Sequence, residues 1–267
     1  MKSILKWSSV VAFGCLGAVG FAQAQAPAIT AGGTVNGADY SRSFAPGAII
    51  AIFGSNLASG TAFANSLPLP TSLGGASVEL ASNGEQFPLW YASATQINAQ
   101  LPSTLAPGTY PLVIRSAANQ AASNSVNVTV SKYAPAVFVD QNGPAIFHSD
   151  GQRVNIENPA KRDEELSIYA TGLGVTTGGR VTTGQPSPSS PLAVSAPLQV
   201  FFGNPGISYA GIIVEWSGLA PGEIGVYQIN CRVPGTHVSG ASIPVTLTIG
   251  GVSSPTNGAD APFVAVN

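Results

Sequence analysis

Short runs of alternating apolar and polar residues, punctuated by glycine, proline, asparagine and serine, make up most of this chain. A period of two sets one side of a strand against a core and turns the other to water. The clearest run is 96–101, where Ile97, Ala99 and Leu101 share one side and Gln96, Asn98 and Gln100 the other. Residues 76–80 and 125–130 read as strands by the same rule, 109–115 follows the Pro107-Gly108 turn as a strand, and 263–266 is the counterpart of 128–130. Residues 48–53 are almost continuously apolar, which predicts a strand that is central or buried on both sides. Asn83-Gly84 is a hairpin signal, and 86–91 is its expected return strand. In the Phe201-Phe202 pair, one ring must point inward and its neighbour outward.

The pattern occurs twice. Gln96-Ile97-Asn98-Ala99-Gln100-Leu101-Pro102 returns as Gln228-Ile229-Asn230-Cys231-Arg232-Val233-Pro234, an offset of 228 − 96 = 132 residues. An x-Pro-hydrophobic strand follows each copy, at Tyr110-Pro111-Leu112 and Ile243-Pro244-Val245. Residues 49–57 match 165–173 at an offset of 168 − 52 = 116. Solenoid repeats have periods of roughly 20–50 residues, so this spacing predicts a duplicated domain. The offset grows by 132 − 116 = 16 residues, mostly in the Gly/Thr/Ser/Pro stretch 176–195, expected as an exposed, mobile loop. The expected organisation is a signal peptide at 1–24, a first immunoglobulin-like β-sandwich at 25–132, a structured connector at 133–160 and a second sandwich at 161–267. Residues 25–45 read as an irregular arm. The connector carries short strands at 133–138 and 145–148 and a hairpin signal at Asp150-Gly151.

The first residues resemble an export signal. Lys2 and Lys6 precede an apolar stretch to Phe21, and Ala22-Gln23-Ala24 supplies a cleavage site after Ala24. The destination is the periplasm, the cell surface or the outside of the cell. Removing the signal leaves 10 − 2 = 8 basic and 12 acidic residues, a net charge near −4, without a basic stripe for nucleic acid. No second apolar segment of membrane-spanning length follows, so no membrane insertion of the mature chain is expected. Loss of Cys15 with the signal leaves Cys231, in the register of Ala99, as a structural core residue without a disulfide partner. With 45% apolar residues the chain can bury a core despite carrying only 8% charged ones.

Catalytic chemistry has few candidates. His148 and His237 are the histidines, and neither lies in a Gly-x-Ser-x-Gly elbow. Zinc lacks its usual ligand spacings. The clusters Asp140-Gln141-Asn142-Gly143 and Asp163-Glu164-Glu165 are the candidates for calcium, set against an Asx turn and a solvated charge run. No cofactor is implied. Aromatic contact is the stronger idea: Trp90-Tyr91 and Trp216 lie at comparable places shortly before the two Gln-Ile-Asn strands. Exposed, they suit sugar faces or partner proteins; a tryptophan at a repeated sandwich position is, however, ordinarily core.

These motifs, with Ile52-Phe53-Gly54-Ser55-Asn56-Leu57, Leu69-Pro70-Thr71-Ser72-Leu73-Gly74-Gly75, Tyr169-Ala170-Thr171-Gly172-Leu173-Gly174 and Gly218-Leu219-Ala220-Pro221-Gly222, resemble one family. It is the uncharacterised C-terminal domain family of exported acidobacterial proteins, and each half resembles the IPT/TIG branch of immunoglobulin-like domains. Lys161-Arg162-Asp163-Glu164-Glu165 departs from the Pro46-Gly47 of the first copy. The resemblance implies an exported, all-β, non-catalytic interaction module that binds protein or glycan through loops and sheet edges. A carbohydrate-binding accessory protein using Trp90, Tyr91 and Trp216, and a secreted hydrolase, remain the alternatives.

Overall fold

The computed structural model describes residues 25–203, 212–235, 239–255 and 261–267. The expected signal peptide, Cys15, the Ala24 cleavage site and His237 lie outside the described residues. The N-terminal half contains β1 (Ala28–Asn36), β2 (Ile49–Ser55), β3 (Ala62–Phe63), β4 (Ala76–Leu80), β5 (Leu89–Ala92), β6 (Gln96–Gln100), β7 (Gly108–Ser116) and β8 (Val126–Val130). The C-terminal half continues with β9 (Ala136–Val137), β10 (Val139–Asp140), β11 (Gly143–Pro144), β12 (Ile146–His148), β13 (Glu165–Thr171) and β14 (Leu192–Ala193). It ends with β15 (Leu198–Phe202), β16 (Ile213–Leu219), β17 (Tyr227–Arg232), β18 (Gly240–Ile249), β19 (Val252–Ser253) and β20 (Phe263–Val266). All paired strands are antiparallel. Among the described residues no helix is long and apolar enough to cross a membrane.

Each half stacks two sheets on a core of its own. In the N-terminal half, β1-β2-β6-β5-β3 faces β4-β7-β8 across Ile50, Ile52, Leu89, Ile97, Val78 and Ile114. In the C-terminal half, β12-β13-β17-β16-β14 faces β15-β18-β19, with β20 on β18, across a core that includes Ile168, Ile229, Cys231, Phe202 and Leu247. The β-branched residues that favour pleated strands thus fill two interiors with no side chain in common.

The two Gln-Ile-Asn strands hold the same register. Ile97 stands opposite Ile52 and Ile229 opposite Ile168; Asn98 faces Ala51 and Asn230 faces Ser167. The Gly-Ser-Asn-Leu and Ala-Thr-Gly-Leu ends of β2 and β13 share one geometry. Asn56 (φ 54°) and Gly172 (φ 76°) take left-handed backbone, which asparagine and glycine tolerate, and each drives the next leucine, Leu57 or Leu173, fully into its core.

Four expectations change. Residues 25–45 are not an irregular arm: β1 pairs with β2, though a register shift between Ile29 and Thr34 interrupts the alternation that would have revealed it. Residues 133–160, expected as a structured connector with short strands, do carry them, but as part of the C-terminal sheet: β9 and β12 pair with β13 at positions that β1 takes beside β2. Val137 meets Ala170 as Ile29 meets Gly54, and Phe147 meets Ser167 as Val35 meets Ala51. The hairpin β10–β11 splits that strand into pieces too short to show periodicity. The return strand after Asn83-Gly84 also divides. Phe87 bonds back to Val78, but Pro88 has no N–H for the ladder, and from Leu89 the chain belongs to the other sheet.

The loop 176–195 is the fourth change, since part of it is strapped to the N-terminal half. The Gly184 N–H donates to Gln100 Oε1 at 2.7 Å, Leu69 N–H to the Gly184 carbonyl at 2.9 Å, and Ser103 Oγ to the Val181 carbonyl at 3.0 Å. Gln100, expected on the solvent side, is only 5% exposed because the strap covers it and its Nε2 donates to the Gly47 carbonyl. At the matching register position of the C-terminal half stands Arg232, which binds Glu215 and the Asp163 carbonyl instead.

Candidate functional site

The polar sides of the two Gln-Ile-Asn strands face away from the cores, and each is laid out in the same way. Gln96 Nε2 donates to Asn98 Oδ1 at 2.8 Å, and Gln228 Nε2 donates to Asn230 Oδ1 at 2.8 Å. This pairing orients the amides along the strand and leaves Gln Oε1 and Asn Nδ2 without a protein partner among the described residues.

On the C-terminal face the row across the sheet is Phe147, Ser167, Asn230, Trp216, from β12 through β13 and β17 to β16. Three steps between neighbouring strands separate the outer rings by roughly 14 Å. Ser167 Oγ donates to Asn230 Oδ1 at 3.3 Å, Tyr169 stands beside Gln228, and Phe147 meets Tyr169 edge-on with ring centroids 5.7 Å apart. The Arg153 guanidinium lies 5.0 Å over Phe147 and is held by Asp140. Gly218 is next to Trp216 on the same side, and its missing side chain gives the indole room to lie along the sheet. A hollow of about 360 Å³ continues this surface past Tyr169 and Gln228, walled by Phe138, Pro221 and Glu223. The result is a shallow tray with rings at its ends and amides between them.

The N-terminal face carries Phe63, Trp90 and Tyr91 at one margin, with Phe63 and Tyr91 centroids 4.9 Å apart and Phe63 72% exposed. Trp90, Tyr91 and Trp216 are all half-buried, and none belongs to either core. The bulges in β5 and β16 explain this. Leu89 opposes Ala99 and Tyr91 opposes Asn98, so Trp90 is the additional residue; in β16, Val214 opposes Cys231, Trp216 opposes Asn230 and Glu215 is additional. The register match of Trp216 is therefore Tyr91, while Trp90 corresponds to Glu215. Sequence reading did not single out Phe147, Tyr169, Gln228 or Asn230 as site residues, although period-two alternation around Ile168 and Ile229 puts Tyr169, Gln228 and Asn230 on the outer face.

The other candidate groups are held apart. Cys231 is buried opposite Leu166, and burial, followed by the nearby charges of Glu215 and Glu165, pushes its thiol up to about 12. Asp140 caps the turn at Asn142, Asp163 adopts left-handed backbone at the β13 entry, and Glu164 turns to His148. No cluster of three metal-ligating residues occurs among the described residues. His148 Nδ1 lies 2.6 Å from Glu164 Oε1 and Nε2 lies 3.1 Å from the Asn158 carbonyl. Both partners are acceptors, an arrangement that favours the imidazolium form, in which both ring nitrogens donate. Among the described residues no hydroxyl is hydrogen-bonded to the ring.

Burial lowers the His148 pKa, but the hydrogen bonds to Glu164 and Asn158 and the charges of Glu164 and Asp150 outweigh it, and the net shift is upward from 6.5. The stabilisation is therefore complete below about 6.5 and disappears as pH rises through the raised folded value. Urea unfolding between about pH 5 and pH 8 should show stability falling with pH in the native chain and a flatter profile in His148→Gln. Parallel profiles would show that the pair does not titrate with folding.

No known family profile and no curated protein sequence matches the chain. Among solved structures it is similar to the Plexin A4 extracellular region, at 12% identity and TM-score 0.27, over 94% of this chain and 17% of that one. It is similar to SGBP-B of the Bacteroides ovatus mixed-linkage glucan utilization locus, solved with a mixed-linkage heptasaccharide, at 15% identity and TM-score 0.33, over 85% and 44%. The N-terminal part of the bacterial S-layer protein SbsC is similar at 13% identity and TM-score 0.26, over 91% and 45%. This chain thus spans less than half the length of each. Likeness at this level bears on no site residue.

Proposed function

We propose that this protein is an exported, non-catalytic interaction module that binds glycan chains on the outer faces of its Gln-Ile-Asn sheets. In this reading two immunoglobulin-like sandwiches of IPT/TIG type arose by tandem duplication, as in the acidobacterial C-terminal family, and the chain is released from its signal after Ala24. The observation that carries the binding assignment is the tray of Trp216, Asn230, Gln228, Ser167, Tyr169 and Phe147. Ring faces suit the apolar faces of sugars, and half-exposed amides and hydroxyls suit their hydroxyl groups. The contact surface is thus the sheet face rather than loops and edges alone.

Glycan-array binding by residues 25–267 tests this. Trp216→Ala should cost about 2 kcal/mol, or roughly thirtyfold in affinity, as at other aromatic hot spots. Because Trp216 lies outside the core, the thermal melt should hardly move. Full retention of binding by Trp216→Ala and Tyr169→Ala, or recovery of protein partners alone, would remove the glycan assignment.

A further inference from the structure

A second concavity, of about 320 Å³, lies where the two halves meet and apart from the sheet faces. The N-terminal half contributes the 103–107 turn and Lys132, and the C-terminal half contributes strap residues together with Leu219 and Tyr227. Leu105, Pro107, Val175, Val181 and Leu219 give it an apolar wall. Its shape is tied from both sides. Ser103 N–H donates to Thr183 Oγ1 at 2.9 Å, Thr176 Oγ1 to the Gly179 carbonyl at 2.6 Å, and the Tyr227 hydroxyl to the Gly174 carbonyl.

Its polar lining is one-sided. Lys132 and Arg180 border the cavity, and among the described residues no aspartate or glutamate lines it. Arg115, Arg153 and Arg232 each have a carboxylate partner, whereas Lys132 and Arg180 have none among the described residues. Lys132 rests instead 5.1 Å over the Tyr133 ring. The hydroxyls of Thr104 and Ser187 and the side-chain amide of Gln185, also in the lining, make no hydrogen bond to protein among the described residues. Two cations and three polar side chains that have no protein partner among the described residues therefore border one apolar recess, in a chain of net negative charge.

We propose that this cavity binds a small organic anion, a carboxylate or sulfonate on an apolar or ring-shaped body. Its volume is at the small end of the range for ligand sites, and apolar walls strengthen the pull of a nearby cation on an anion. The site is formed from both halves, so a bound anion would also reinforce the junction.

Anilinonaphthalenesulfonate, an anion on an apolar ring system, serves as the probe for residues 25–267. One dye should bind per chain, should be displaced by benzoate but not by benzyl alcohol, and should bind roughly tenfold more weakly in Arg180→Glu and in Lys132→Glu. Both side chains are exposed, so these variants should keep the native melt. Val181→Trp, which fills the recess without changing charge, should also prevent dye binding. Unaltered dye affinity in both charge variants, or equal displacement by the alcohol, would overturn the proposal. Trp216→Ala should leave the dye untouched, which separates this result from the fate of the glycan reading.

Discussion

Ile97→Ala and Ile229→Ala should each cost about 2–5 kcal/mol, and each should act on its own half of the molecule. Both side chains are fully buried on central strands, at matching positions in separate cores. Residues 25–267 provide their own reporters, since Trp90 lies in one half and Trp216 in the other. In single-tryptophan forms made by Trp→Phe exchange, Ile97→Ala should displace the transition seen by Trp90 more than that seen by Trp216, and Ile229→Ala the reverse. The double variant should cost the sum within about 0.5 kcal/mol, as for side chains that share no neighbours. Identical displacement of both tryptophan signals by either variant would show that the interiors melt as one unit.

The second large effect is expected at the end of β13. Asn56 and Gly172 share left-handed backbone, so an alanine at either should lose about 1–2 kcal/mol to strain. Only Gly172 has a further obstacle. An added Cβ there would run into the Ala134 carbonyl oxygen, while the Ala134 N–H donates to the Gly172 carbonyl at 3.0 Å. The backbone on both sides of the clash is tied down and cannot yield cheaply. Gly172→Ala should therefore cost more than about 3 kcal/mol in denaturant unfolding, and Asn56→Ala roughly half of that. Equal losses at the two positions would mean that the β9 segment moves aside freely.

Much of the strand grammar was legible because alternation is a local property. Ile97, Ala99, Leu101, Ile229, Cys231 and Val233 are all buried, and Gln96, Asn98, Gln228 and Asn230 all face outward, as their spacing demands. The candidate site was legible only in part. Trp90 and Trp216 lie at comparable places shortly before the Gln-Ile-Asn strands, but pairing makes Tyr91 the register match of Trp216, because Tyr91 opposes Asn98 as Trp216 opposes Asn230. Bulges leave no periodic mark, so phase across them has to be read from pairing.

Determined by the sequence alone were the all-β class, the recurrence of one strand pattern and the inward residues of the two Gln-Ile-Asn strands. All follow from which side of a strand is apolar, a question settled within five or six neighbouring positions. Tertiary structure alone decided that β1 and the pair β9 and β12 complete their sheets, that Gln100 is covered, and that a cation-lined recess forms at the junction. These depend on partners such as Gly184, 84 residues from Gln100, and a hydrogen bond across that distance is set by how whole sheets pack.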